Sequence, residues 1–190
     1  MTNSKYTAFV ALDPFFDIVM QGLAGAVDGD HYFDAIADDA VFEYRYVFPG
    51  FPSKIEGRDA LMALYSGYGD STTLYTGDSL IVHRTQDPRV LTLEYEVHGK
   101  KIRTRNSYDN RFISVVTIED RKIVHWRDYM DSLAAFTAET GPSASLRLKD
   151  AFCKVLNVVL GARLLPKKCP LVRGDEGWVM FRTDLPAQSR

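Results

Sequence analysis

The order of hydrophobic patterns along this 190-residue chain predicts an α+β fold, a curved antiparallel sheet with helices over its concave side, forming a cone. Three observations lead there. Segments of helical periodicity come first and strand-like segments follow, with no βαβ alternation. The stretch Tyr108 to Asp131, YDNRFISVVTIEDRKIVHWRDYMD, reads as two long strands joined at Glu119-Asp120-Arg121, because β-branched and aromatic residues crowd both arms while charges and turn formers lie between them. Val90 to His98 alternates strictly, with Leu91, Leu93, Tyr95 and Val97 on one face and Thr92, Glu94, Glu96 and His98 on the other.

The elements follow in chain order. Apolar residues at three- and four-residue steps, Leu12, Phe15, Phe16, Val19, Leu23, Ala26 and Val27, predict an amphipathic helix over 12–27, with Asp13 as N-cap and Pro14 at its first position. Gly29-Asp30 breaks it, and a short second helix is expected over 31–37. A strand is then expected from Ala40 to Phe48, whose residues Phe42, Tyr44, Tyr46 and Phe48 share one face. Those four aromatics either wall an apolar cavity or pack as plain core, the second reading being preferred for Phe42. Pro49-Gly50-Phe51-Pro52 must be a loop. Gly57-Arg58-Asp59 opens a third helix through Leu61, Leu64 and Tyr65, ending near Gly67 or Gly69. Strands over 72–84 and 90–98 are separated by a turn at Gln86-Asp87-Pro88, and Gly99-Lys100 reads as the next turn.

The sharpest chemical feature lies in the last arm of the hairpin. Strand alternation puts Val124, Trp126, Asp128 and Met130 on one side, so a single carboxylate stands among apolar neighbours. Lost hydration disfavours the charged form of such a group and moves its pKa toward the range where it exchanges a proton. Asp128 is therefore either a general acid or base, or a strand-end carboxylate hydrogen-bonded to a loop.

The words Tyr108-Asp109-Asn110-x-Phe112-Ile113, Lys122-Ile123 and Trp126-Arg127-Asp128-Tyr129-Met130-Asp131 resemble the last two strands of the NTF2-like superfamily. Within it the likeness is to SnoaL-like cyclases and ketosteroid isomerase-like proteins, to phenazine-biosynthesis isomerase-like proteins, and to limonene epoxide hydrolases. The resemblance covers residues 1–140 and implies an NTF2-like cone. In the epoxide hydrolases and phenazine proteins the acid matching Asp128 points into the pocket and is functional. The chain departs from the epoxide hydrolases elsewhere: Glu94 and Glu96 stand where an Arg and an Asp are expected, and Phe42 and Tyr44 where a Tyr and an Asn are. Epoxide hydrolysis is therefore not implied.

Alongside Asp128, the candidate catalytic residues are Tyr44, Asn110 and His98 as hydrogen-bond donors, and Glu96 as a second carboxyl. Plainer alternatives stand beside them: Asn110 as a strand-end amide, Glu96 together with Glu94 as groups facing water or a partner subunit, and His98 as a surface or structural histidine. Phe16, Phe42, Tyr46, Phe112, Trp126 and Met130 are expected to line the pocket.

Composition bounds the rest. Hydrophobic residues make up 46% and charged residues 25%, which describes an ordinary globular protein, and a net charge of -2 offers no footprint for nucleic acid. Cys153 and Cys169 stand in no metal or redox spacing and the N-terminus lacks a secretion pattern, so a cytoplasmic protein with free thiols is expected. His31, His83, His98 and His125 show no metal-ligand spacing, and no GxSxG, GxGxxG or GxxxxGK[ST] occurs. Neither a metal nor a cofactor is expected. Residues 141–190 form an extension whose stretch 145–165 patterns as an amphipathic helix, too often interrupted by charge for a membrane span. It packs over the sheet, closes the pocket, joins a second subunit or lies on a membrane surface, and Trp178 to Phe181 adds a short strand.

Two functions remain. One is an isomerase, cyclase or dehydratase moving a proton on a small apolar ring compound of polyketide, terpenoid or steroid type. The other is a ligand-binding or interaction module without chemistry. A homodimer is expected in either case, from the family likeness and the unpaired apolar strand faces.

Overall fold

A computed structural model of the chain describes residues 4–46, 48, 50–140, 171–174 and 177–180, the last two segments as backbone. The chain divides into two compact units, residues 1–141 and 142–190. In the second, β7 (Leu171–Gly174) and β8 (Gly177–Met180) form an antiparallel pair with Leu171 opposite Met180. The helix expected over 145–165 lies outside the described residues.

The first unit opens with a stretch of 3₁₀ helix over Ser4–Leu12, not anticipated from the sequence, which buries Tyr6, Phe9 and Leu12. Helix α1 (Asp13–Gly22) follows, with Leu12 at the N-cap position and Asp13 in its first turn. It stops before the expected Val27 because Gly25 adopts a left-handed φ of 77°, although Leu23 and Val27 still pack inward. The expected second helix is one 3₁₀ turn, Tyr32–Ala35, started by the Phe33 amide donating to His31 Nδ1 at 3.2 Å.

Strand β1 (Ile36–Tyr44) begins and ends four residues earlier than expected, so Tyr46 and Phe48 belong to the loop that follows. That loop returns through β2 (Lys54–Glu56), too short to leave a sequence pattern, and helix α2 (Arg58–Tyr65) comes next. Then come β3 (Thr72–Arg84), β4 (Val90–Lys101), β5 (Ser107–Glu119), β6 (Lys122–Met130) and α3 (Ser132–Thr140). The six strands form one sheet in the order β2-β1-β6-β5-β4-β3, antiparallel throughout except for the parallel pair β1 and β6. Helix α1 packs against β3 and β4, and the buried side chains gather between the helices and one face of the sheet.

Three sequence expectations need physical correction. Gly99-Lys100 is not a turn: Gly99 pairs with both Leu74 and Tyr108, and the reversal comes at 102–106. The glycine is needed because a Cβ there would collide with the Thr73 carbonyl and reach Leu74 Cα at 3.0 Å. Val124 does not share a face with Trp126, because Thr117 pairs with His125 while Ile118 pairs with Ile123, leaving Val124 as a bulge. Ile123 is therefore the inward residue before Trp126. Asp131 does not continue the strand: its Oδ1 accepts from the Leu133 and Ala134 amides, both at 3.0 Å, and so starts α3.

Asn110 fixes this corner. Fully buried on β5, its Oδ1 accepts from the backbone amides of Arg111 at 2.8 Å and Asp131 at 3.1 Å, and its Nδ2 donates to Tyr108 Oη at 3.3 Å. Replacing Asn110 with Ala should lower stability by about 1–3 kcal/mol, from the loss of hydrogen bonds made by a buried side chain to part-buried backbone amides, measured by urea unfolding with an unchanged m-value. No helix among the described residues is long and apolar enough to cross a membrane.

Candidate active site

Sheet register assembles the site on one rung. Tyr44 of β1 stands beside Asp128 of β6, which stands beside Ser114 of β5. The three side chains point to the concave face, and all are buried, with Asp128 7% exposed. Ser114 Oγ donates to Asp128 Oδ1 at 2.6 Å, and the Trp126 indole Nε1–H donates to the same oxygen at 3.3 Å. Behind them Tyr95 Oη lies 3.0 Å from Ser114 Oγ. Because the single serine proton is committed to the carboxylate, Tyr95 is the donor in that contact. Both protein hydrogen bonds therefore fall on Oδ1, and Oδ2 receives none among the described residues.

Burial pushes the Asp128 carboxyl from 3.8 up to about 7, against the two donors that favour its charged form. Two donors on one oxygen do not replace the hydration lost by the whole group. Replacing Ser114 with Ala removes the shorter of the two bonds and should move the Asp128 titration midpoint upward by about one pH unit, followed by carboxyl ¹³C NMR.

Asp128 lines a cavity of about 140 Å³. An apolar cavity of about 150 Å³ accepts a benzene-sized molecule, so one ring is within its capacity. Its wall is aromatic: Phe15 of α1, Tyr44 of β1, Tyr46, Phe48 and Phe51 of the following loop, and Phe112 of β5. Tyr44 and Tyr46 bring phenols to the Asp128 end. Burial is the main cause that raises the pKa of each, and the Asp128 charge adds to it, so both remain neutral donors across the physiological range. Tyr44 Oη lies 3.4 Å from Tyr65 Oη, and Phe51 packs edge-on against the Tyr44 ring with centroids 4.8 Å apart.

The sequence candidates are partly brought together. Tyr44, Tyr46, Phe112 and Met130 line the cavity with Asp128. Phe16, Phe42 and Trp126 are core instead: Phe16 stacks on Tyr32 at 4.8 Å and Phe42 on Trp126 at 6.1 Å, and only Trp126 touches the carboxylate. Asn110 is committed to the backbone contacts already described. Glu96 and His98 lie on the opposite face of the sheet from Asp128, as strand alternation with inward Tyr95 and Val97 requires. There His98 Nδ1 is 2.9 Å from Asp109 and its Nε2 is 3.4 Å from Asp78, and these carboxylates raise its pKa. Neither can touch a group bound beside Asp128. Among the described residues no cluster of three or more His, Cys, Asp or Glu is placed to hold a metal ion.

Ser114, Tyr95 and Lys101 belong to the site and were not singled out from the sequence. The signal for Ser114 was present: it is the lone small hydroxyl on the inward face of β5, between Phe112 and Val116.

An open-edged curved sheet, helices on its concave side and an aromatic pocket holding one buried carboxyl define a protein of NTF2-like fold. The chain belongs to the SnoaL-like domain family, whose profile matches residues 15–126. It is 32% identical over 104 residues to the Bacillus subtilis protein YesE, covering 55% of this chain and 71% of that protein. Among solved structures it is similar to a Bacillus subtilis protein described as a "Putative Isomerase", with 26% identity, a TM-score of 0.57, and coverage of 74% of this chain and 97% of the other. A phenazine biosynthesis-related protein of Pseudomonas aeruginosa shares the fold at 18% identity and a TM-score of 0.53, over 75% of this chain and 88% of its own.

Proposed function

We propose that the protein is a cofactor-independent enzyme that isomerises, cyclises or dehydrates a small ring compound by moving a proton through Asp128. One observation carries this reading: a carboxyl buried in the wall of an apolar cavity, with one oxygen tethered and the other left for a ligand. Ser114 and Trp126 hold Oδ1, fixing the carboxylate plane. Oδ2 takes a proton from a ring carbon next to a carbonyl. The electron pair moves onto the carbonyl oxygen, which the Tyr44 or Tyr46 phenol stabilises by hydrogen bonding. In a β,γ-unsaturated ketone the neutral acid returns the proton to the γ-carbon as the double bond shifts. In a β-hydroxy ketone it protonates the hydroxyl, which leaves as water. In a cyclisation the enolate carbon attacks a second carbonyl of the same molecule, whose oxygen takes the proton. A single ring of polyketide, terpenoid or steroid type suits the aromatic wall and the cavity's size, and the similarity to a protein described only as a "Putative Isomerase" supports the same class.

The test uses proton exchange, which needs no knowledge of the natural product. A panel of cyclic ketones and enones is incubated with the protein in D₂O, and deuterium at the carbon next to the carbonyl is followed by NMR. Exchange above the buffer rate that vanishes in Asp128→Asn supports the reading. Compounds that bind, quench Trp126 fluorescence and yet exchange at the buffer rate sink it, and leave a ligand-binding module.

The outer face of the sheet also bears on assembly. Ile81, Ile113 and Tyr129 are 40–53% exposed there, beside the oppositely charged pair Glu96 and Arg111, 3.3 Å apart. A second copy would cover this apolar patch and answer each charge with its opposite, so the working form is proposed to be a homodimer, to be checked by sedimentation equilibrium.

A further inference from the structure

We infer that Lys101 makes the far end of the same cavity an anion-accepting subsite, so that the ligand is a ring compound carrying a carboxylate or equivalent anionic oxygen. Lys101 is the last residue of β4. Its side chain turns inward, and the residue is 9% exposed. A buried ammonium needs partners for its three donors. Nζ donates to Thr72 Oγ1 at 2.8 Å and pairs with Glu139 Oε1 of α3 at 2.6 Å. The Tyr108 ring centroid lies 5.0 Å from it and the Tyr68 centroid 6.0 Å, so it faces aromatic surface as well. Among the described residues only two oxygens serve the three N–H groups, and the third remains for a ligand.

The carboxylate partner of Lys101 is itself divided. Glu139 also approaches the exposed guanidinium of Arg103, at 3.7 Å, so this one carboxylate is shared between Lys101 and a second cation. Lys101, Tyr68 and Tyr108 all line the cavity that contains Asp128, with Leu74 and Val97 as apolar walls. A ring compound bound in this cavity would place its anionic group on Lys101, on a different part of the wall from Asp128. Charge recognition would then be spent on positioning, away from the reacting atoms.

Anchoring α3 to the sheet would by itself explain Glu139 on Lys101, but that role does not require Lys101 to line the cavity. The inference rests on the proposed reading only in taking the cavity as the ligand site; it does not require Asp128 to do chemistry.

Calorimetric titration with cyclohexanecarboxylate and the equally sized cyclohexanecarboxamide, at about pH 6 where Asp128 is mostly neutral, tests it. The wild-type protein should bind the carboxylate at least about 10-fold more tightly than the amide. Lys101→Met should erase that preference, and Glu139→Gln, which releases the ammonium, should widen it several-fold. Equal affinities in the wild type, no binding of either compound, or an unchanged preference in Lys101→Met would overturn the proposal. Should Lys101→Met fail to fold, Glu139→Gln decides, and a preference that does not widen counts against it. A carboxylate preference without proton exchange would end the catalytic reading and leave this subsite standing.

Discussion

Asp128→Asn should reduce proton exchange by about 10²–10⁴-fold, the range a positioned general base contributes. The amide keeps the shape of the carboxyl and still accepts from Ser114 and Trp126 through its oxygen, so the pocket and ligand affinity should survive. It cannot take a proton at any relevant pH. The loss should therefore fall on kcat with KM little changed, as expected for a group whose contribution is made in the transition state. In the wild type, activity should rise with pH along a single limb with its midpoint near 7, because the base is the ionised form of a carboxyl that burial raises to about 7. A midpoint near 4 would mean that the reacting acid is an exposed one.

The same buried carboxyl should dominate the pH dependence of stability. Its pKa is 3.8 in an ordinary setting and about 7 in the folded protein, so the folded state holds the proton more tightly. The associated stability is fully present below about pH 4 and is lost as pH rises through 7, amounting to roughly 4 kcal/mol over that interval. Wild-type protein should accordingly lose on the order of 10 °C in Tm between about pH 4.5 and 8. His98, raised by Asp109 and Asp78, contributes a slope of the same sign, because its gained proton is also lost on the alkaline side. The difference between wild type and Asp128→Asn isolates the carboxyl: the variant should be the more stable protein at pH 8, by several degrees. Equal melting curves at pH 8 would mean that Asp128 is solvated.

Asp128 and Tyr44 were legible in the sequence because each is decided by strand alternation within one element. A lone acid among Trp126 and Met130, and aromatics at alternate positions from Phe42, identify an inward face without knowledge of the neighbours. The helix-first order and the strict alternation of Val90 to His98 likewise gave the architecture. What escaped depends on relations between elements. Ser114 acquires its role from register, since nothing in β5 alone says that it stands beside Asp128. Lys101 was hidden because Gly99-Lys100 has turn chemistry, whereas Gly99 is there for the close approach of β3. The Val124 bulge reverses alternation within β6, and a pattern of period two cannot register an inserted residue. Helix α3 was missed because Asp131 ends a strand and caps a helix at once. Alternation also sent Glu96 and His98 to the outer face, and it was the analogy of paired carboxyls that kept them as candidates for a site they do not reach.

The carboxyl ¹³C shift of Asp128, followed by NMR across pH and assigned by comparison with Asp128→Asn, tests the central claim most directly. A midpoint near 7 that rises further in Ser114→Ala is the result expected of an acid held dry by the cavity wall. A midpoint near 4, unchanged by Ser114→Ala, would contradict it.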